Sequence, residues 1–261
     1  PQERGCALLA DLARLGENKY AIVKAGGMQP LVAMLSSDDA PRAVDSAIAT
    51  LWQLSQVGQN KMALADAGAI PPLVALLTSG SGSADALRHA TGTLWNLCAY
   101  GDNKAAMVAA GAIGPLVAML GSDAAEAREN AAAVLSEVAR SQGGNKRAIA
   151  QAEGMAPLIA LLGDPSVQTQ KHAACALWGL VEGKEGVYAA QLVELNAVAP
   201  LISMLLANVP ETRGFAAACL SSLCAVDADA REAVLAAGGQ DPLMALAYSP
   251  STWLRCQAVG L

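Results

Sequence analysis

The sequence predicts an all-α protein in which one helical unit of about 42 residues recurs along the whole chain. Six prolines mark the repeat at intervals of 42 or 43 residues: Pro30, Pro72, Pro115, Pro157, Pro200 and Pro242. Of the 261 residues, 54% are hydrophobic but only 3% are aromatic, which favours a core of closely packed Ala- and Leu-rich helices. A unit of this length cannot bury its apolar face alone, so successive units must stack.

Each repeat is predicted to hold three helices. The first is short, begins at an Asn-Lys pair because asparagine is a good N-cap, and ends at a glycine, as in Lys104 to Ala110 followed by Gly111. The second has the marker proline in its first turn. The third is longer, for example residues 86–99, and ends in two apolar residues three apart that share the buried face. These pairs are Leu9/Leu12, Leu51/Leu54, Leu94/Leu97, Leu135/Val138, Leu177/Leu180 and Leu220/Leu223.

The repeated sequence motifs resemble those of a known family. The segment Ala67-Gly68-Ala69-Ile70-Pro71-Pro72-Leu73-Val74, the Asn-Lys helix before it and the Leu94-Trp95-Asn96-Leu97 segment are similar to the armadillo repeat, most closely in plant, protist and fungal proteins. The resemblance implies a right-handed superhelical solenoid with three helices per repeat. It covers a single domain, 1–261, divided into a partial repeat 1–17, full repeats 18–59, 60–102, 103–144, 145–187 and 188–229, and an incomplete repeat 230–261. Both ends cut through a repeat, so we expect the protein to continue or another chain to cap it.

The resemblance also indicates where a partner would bind. In armadillo proteins the third helices line a concave groove, and an asparagine on each helix pins the backbone of an extended partner. That position is Asn96 here, and residues seven positions earlier share its face. We name the candidate partner-binding residues in these two columns the groove stripe; an alternative interpretation is that some of them serve packing or simply face solvent. The groove stripe comprises Asp11, Ser46, Gln53, His89, Asn96, Asn130, Glu137, His172, Phe215 and Ser222.

Two further columns bear on the type of partner. One turn before the Asn96 column, nuclear-import adaptors carry tryptophan, whereas this chain has the small residues Ala7, Ala49, Gly92, Ala133, Cys175 and Ala218. A nuclear-import adaptor is therefore the least favoured of the binding functions. Immediately before the Asn96 column stand Trp52, Trp95 and Trp178. We expect these tryptophans to pack between neighbouring repeats, although an interface role is the alternative.

Several function classes are disfavoured. A net charge of −6 does not favour binding to the negatively charged backbone of a nucleic acid. The charge-free stretch 105–122 contains Gly114-Pro115, which predicts two short helices and no membrane insertion. The chain has no Cys/His cluster at metal-ligand spacing and no nucleophile–base set, so we expect no metal, no cofactor and no enzymatic activity. The six cysteines are interpreted as buried thiols, which favours an intracellular, cytoplasmic location.

The predicted function is a non-catalytic scaffold or adaptor that binds an extended or helical segment of another protein along the groove. A structural subunit of a large assembly is the first alternative. The second is the substrate-recognition segment of a larger ubiquitin ligase.

Overall fold

The computed structural model describes residues 2–37, 40–141, 145–183 and 187–258. Within those ranges every regular element is a helix, and the helices follow the predicted order of three per repeat. The third helices are α1 (Gln2–Leu12), α4 (Pro41–Ser55), α7 (Ala84–Leu97), α10 (Ala125–Ala139), α13 (Val167–Val181), α16 (Pro210–Val226) and α19 (Thr252–Ala258).

The other two helices of each repeat are shorter. The first helices are α2 (Gly16–Lys24), α5 (Gly58–Asp66), α8 (Gly101–Ala109), α11 (Asn145–Gln151), α14 (Ala189–Glu194) and α17 (Ala228–Ala236). The second helices are α3 (Met28–Met34), α6 (Ile70–Ser79), α9 (Ile113–Met119), α12 (Met155–Ala160), α15 (Val198–Met204) and α18 (Gln240–Ala247), and a 3-10 turn, Leu161–Gly163, continues α12.

The chain divides into two compact units, Pro1–Val134 and Leu135–Leu261, and the division falls inside α10. In the first unit α4 packs between α1 and α7, and in the second α16 packs between α13 and α19. The third helices therefore stack side by side within each unit. The prediction of a single domain with repeat boundaries at 18, 60, 103, 145, 188 and 230 stays a prediction.

The apolar pairs of the third helices form the core of each unit. Leu51, Leu54, Leu94 and Leu97 are fully buried, as are the corresponding pairs of α10 and α16. The first pair differs, because Leu12 is 40% exposed. In this structure α1 has a third helix, α4, on one side only. The predicted burial is thus confirmed for the later pairs and wrong for Leu12.

The junction between the first and second helices has the predicted geometry. Each marker proline lies in the first turn of a second helix, where its missing N–H costs no helical hydrogen bond. Ahead of it, Gly26, Gly68, Gly111 and Gly238 have φ values of 75° to 79°, in the left-handed region that glycine enters freely. The stretch 105–122 accordingly forms two short helices, α8 and α9, as predicted.

Three of the four repeated asparagines, Asn18, Asn60 and Asn103, do not have the predicted role. Helix α8 begins at Gly101 and its N-cap is Tyr100, so Asn103 is already in the helix and the N-cap prediction is wrong. Its side-chain Nδ2 instead donates to the backbone oxygen of Leu97, at 3.0 Å. The asparagine therefore gives a second donor to the last carbonyl of the preceding third helix, which also accepts a 3.4 Å bond from the Tyr100 N–H. Asn18 and Asn60 make the same bond, to Leu12 and Leu54.

Replacing Asn103 with alanine is expected to lower the free energy of unfolding by about 1.5 kcal/mol, because the buried Leu97 carbonyl would lose its Asn103 partner and keep only the 3.4 Å bond from the Tyr100 N–H. Asn18→Ala is the matched control, since its bond to Leu12 is exposed and water can replace it. We expect that variant to lose less than about 1 kcal/mol, as measured by urea denaturation. Equal losses at the two positions would contradict this account.

Among the described residues, no single helix has both the length and the apolar character needed to cross a membrane. The pair α5 and α6 passes such a test only when the two are taken together, and they are bent by 80° at their junction.

Candidate functional site

Most of the groove stripe lies half-buried on the third helices. In α4, α7 and α16 the two members are seven residues apart and so lie on one face: Ser46 with Gln53, His89 with Asn96, and Phe215 with Ser222. Glu137, on α10, and His172, on α13, are also half-buried, and Asp11 is exposed. A half-buried side chain is packed against its own chain on one side and remains accessible to a partner on the other.

The amide of Asn96 is held by the preceding repeat. Its Nδ2 donates to the hydroxyl oxygen of Ser55 at 2.9 Å, and that hydroxyl donates to the backbone oxygen of Trp52 at 2.7 Å. This chain of bonds fixes the orientation of the amide, and the Asn96 side-chain oxygen can still accept a hydrogen bond.

Asn130 differs from the other members of the groove stripe. Only 5% of this residue is exposed, and its Nδ2 lies 3.1 Å from the place where a Cβ on Gly92 would sit. Asn130 therefore packs between α10 and α7. At Asn130 the structure therefore favours the alternative interpretation, in which the residue packs between helices and does not bind a partner.

Trp52 reaches across to the next repeat. Its ring lies 4.7 Å from the His89 ring, centroid to centroid, and its Nε1 lies 2.8 Å from the ideal Cβ position on Gly92. The indole of one repeat therefore covers the small residue one turn before Asn96 in the next. Gly92 thus makes room for an aromatic ring from a neighbouring helix, which the sequence by itself does not reveal.

A charged cluster surrounds this tryptophan. The Arg88 guanidinium carbon lies 5.7 Å from the centroid of the Trp52 ring. Its Nη2 lies 3.1 Å from Oδ1 of Asp85, its Nη1 donates to Oε2 of Glu126 at 3.0 Å, and Nη2 also lies 3.0 Å from Nε2 of His89. Because a guanidinium only donates, His89 accepts through Nε2 and its Nδ1 carries the ring proton. The pKa of His89 is lowered, first by burial and then by the Arg88 charge.

The second unit carries a row of aromatic rings on three third helices. Trp178 and Phe215 have ring centroids 6.0 Å apart, and Phe215 meets Trp253 edge-on at 5.7 Å. The guanidinium carbon of Arg140 lies 5.6 Å from the Trp178 ring centroid. Trp52 and Trp178 thus pack against the next third helix, as expected for their column, whereas Trp95 is 40% exposed.

Burial shifts the pKa of His172. The pKa of His172 is lowered from 6.5 to about 4, mainly by desolvation and then by the Lys171 charge, while Glu137 opposes the shift. His172 is therefore a neutral hydrogen-bonding group at physiological pH.

We expect this shift to make stability depend on pH. Because the folded pKa of His172 is lower than the unfolded value, the unfolded chain binds more protons between pH 6.5 and 4, so stability is lost as the pH falls through that window. The loss should be about 2 kcal/mol after allowance for solvent screening. His172→Gln should flatten the dependence when urea denaturation is repeated from pH 7 to 4. An unchanged slope would contradict this assignment.

The titratable side chains of the described residues bear on metal binding and on thiol reactivity. They contain no group of three His, Cys, Asp or Glu side chains placed to hold a metal ion. All six cysteines are free thiols, and five are buried. Burial raises the pKa of Cys6, Cys175, Cys219 and Cys224, which disfavours the nucleophilic thiolate.

A family model described as the armadillo/beta-catenin-like repeat matches four segments: 17–56, 59–99, 102–140 and 144–182. These segments make up more than half of the chain. The chain belongs to the armadillo repeat family. The predicted all-α repeat fold is confirmed.

Solved armadillo structures agree with this assignment. An engineered protein from the Northeast Structural Genomics Consortium is 29% identical with a TM-score of 0.85; the similarity covers 99% of this chain but only 62% of the engineered one. Computationally designed armadillo repeat proteins for modular peptide recognition are 26% identical with a TM-score of 0.80, over 89% of this chain and 97% of theirs. A comparison with curated proteins gave no match.

Four residues near the groove stripe were missed by sequence reasoning: Arg88, Glu126, Arg140 and Trp253. Arg88 and Arg140 stack on tryptophans of other third helices, and these pairings span 36 to 38 residues of sequence. Trp253 lies outside the column of the other tryptophans. No periodic signal pointed to these contacts, because each joins different positions of the repeat.

Proposed function

We propose that this armadillo protein is a non-catalytic scaffold that binds a segment of another protein along the groove stripe. The observation that carries the proposal is the row of half-buried polar side chains on successive third helices, with the Asn96 amide held ready by Ser55. The amide and neutral histidine groups of this row suit main-chain N–H and C=O groups. The similarity to designed proteins for modular peptide recognition supports the same class of partner.

The test is a capture experiment with three forms of the chain and extract from the source cell. The groove variant carries Gln53→Arg, Asn96→Arg and Ser222→Arg, which place long charged side chains on the groove stripe. The matched control carries Ala33→Arg, Ala118→Arg and Ser203→Arg, at exposed positions of α3, α9 and α15. Thermal melts of all three forms check that each is folded.

We expect the unchanged chain and the control to recover the same protein, and the groove variant to recover at least about tenfold less, since several interface contacts are lost together. Hydrogen exchange on the complex should then show protection along the third helices. Full recovery by the groove variant, or a loss confined to the control, would contradict the proposal.

One observation favours a structural subunit as the second candidate function. Away from the third helices, α17 and α18 expose Leu235 and Met244 beside a pocket of about 270 Å³. A structural subunit would be protected there as well as along the third helices. Reading the gene upstream of this segment would test the ubiquitin-ligase alternative. Imaging a tagged full-length protein would test the proposed cytoplasmic location.

A further inference from the structure

Two leucines on α1 are exposed although the corresponding residues of the later third helices are buried. Leu8 is 60% exposed and Leu12 is 40% exposed. The buried counterparts of Leu8 are Thr50, Thr93, Val134, Ala176 and Cys219, and those of Leu12 are Leu54, Leu97, Val138, Leu180 and Leu223. The difference arises because α4 packs between two third helices, whereas α1 packs against one. We name Leu8 and Leu12 the front face.

A second exposed apolar face lies on α17 and α18. Leu235 is 52% exposed and Met244 is 48% exposed, and both border the pocket of about 270 Å³. In the earlier repeats the corresponding residues are buried or half-buried: Val23, Ala65, Val108, Ala150 and Val193 for Leu235, and Val32, Val74, Val117, Ile159 and Ile202 for Met244. We name Leu235 and Met244 the rear face.

Contacts within the chain show which element covers the position of Met244. Its counterpart one repeat earlier is Ile202, and an ideal Cβ on Gly239 would lie 3.0 Å from Cδ1 of Ile202. The junction between the first and second helices of one repeat therefore lies over the second helix of the repeat before it. Gly27 holds the same position as Gly239, but the three atoms nearest to a Cβ there all belong to Ile22, in the helix just before it. The junction at Gly27 is thus the counterpart of the element that covers Ile202.

The charges around the two faces are complementary. Residues 1–24 contain four basic and three acidic side chains, whereas residues 227–258 contain two basic and four acidic side chains. Opposite net charge favours contact between a front face and a rear face over contact between two like faces.

We infer that the front face of one molecule binds the rear face of a second copy of this chain, through the contacts that join successive repeats within it. In this interface α1 lies against α19 of the other copy, as α4 lies against α1 within the chain, and the junction at Gly27 covers Met244. Because the two faces differ, the interface is heterologous, and each pair of molecules leaves one front face and one rear face open to further copies. Neither face includes a residue of the groove stripe, so the inference is independent of the proposed function.

The test compares the unchanged chain with three single variants by sedimentation equilibrium. Leu8→Glu places a charge on the front face, and Leu235→Glu places one on the rear face. Leu206→Glu is the matched control, since Leu206 is exposed and belongs to neither face. Each protein is measured at concentrations up to about 100 μM, enough to populate a complex with a micromolar Kd. Thermal melts check that each variant is folded.

We expect the average mass of the unchanged chain and of Leu206→Glu to rise with concentration beyond that of a dimer. Leu8→Glu and Leu235→Glu should each self-associate at least about tenfold more weakly, because the interface would bury an unpaired charge. A mixture of these two variants should form a dimer that grows no further, since the intact rear face of one can bind the intact front face of the other. A monomeric unchanged chain, a mixture that stays monomeric, or undiminished self-association of either face variant would overturn the inference.

Discussion

Leu97→Ala is expected to lower the free energy of unfolding by about 3 kcal/mol. Leu97 is fully buried at the end of α7, so the shortened side chain would lose its transfer free energy and leave a cavity. The helices α4, α5 and α6 pack against α7 and can collapse only partly into the space. The equivalent residues Leu54, Val138, Leu180 and Leu223 are also buried, so we expect similar losses at those positions.

Leu12→Ala is the matched control for this prediction. Leu12 occupies the same column of the repeat, but it is 40% exposed, so part of its apolar surface remains in water in the folded chain. We expect it to lose about 1 kcal/mol. Urea denaturation of the two variants provides the comparison, and a loss at Leu12 as large as that at Leu97 would show that α1 is packed differently from this structure.

Gly92→Leu is expected to have the second largest effect, a loss of about 2 to 3 kcal/mol. A Cβ at this position would lie 2.8 Å from Nε1 of Trp52 and 3.1 Å from Nδ2 of Asn130, so both α4 and α10 would have to give way. The indole would leave its place against His89. A shift in tryptophan fluorescence of the folded protein should therefore accompany the loss of stability.

Gly5→Leu separates this steric effect from helix propensity. Gly5 lies within α1, and a Cβ there would meet no atom within 4 Å. The same substitution should stabilise the protein by up to about 1 kcal/mol, because leucine is a better helix former than glycine. If Gly92→Leu were also stabilising, Trp52 would not be packed over Gly92.

The sequence predicted the local backbone correctly wherever a single residue type favours a single backbone conformation. The marker prolines predicted the first turns of the second helices, and glycines such as Gly68 and Gly111 predicted the left-handed residue that ends each first helix. Even so, Glu153 and Asn196 adopt positive φ at the equivalent positions, because the surrounding repeat imposes the turn. The asparagines Asn18, Asn60 and Asn103 misled because the partner of each is a carbonyl of the previous helix.

The side-chain contacts of the groove stripe could not be predicted from the sequence. Helical spacing places Asn96 and His89 on one face, yet it does not reveal that Ser55 holds the amide or that Asn130 is buried. Those facts depend on how far one third helix is shifted along its neighbour. A repeat of fixed length leaves that shift open, because side-chain volumes on both helices set it together.

The sequence by itself determined the all-α class, the three-helix repeat and the family, because each follows from residues that recur at a fixed spacing. Only the tertiary structure decided which of the corresponding residues in successive repeats are buried and therefore stabilise the fold. It buries Leu97 but exposes Leu12, and it places Trp52 over Gly92 with Arg88 against its ring. The physical reason is that burial and ring contacts depend on the neighbouring helix, whereas helix formation depends mostly on local sequence.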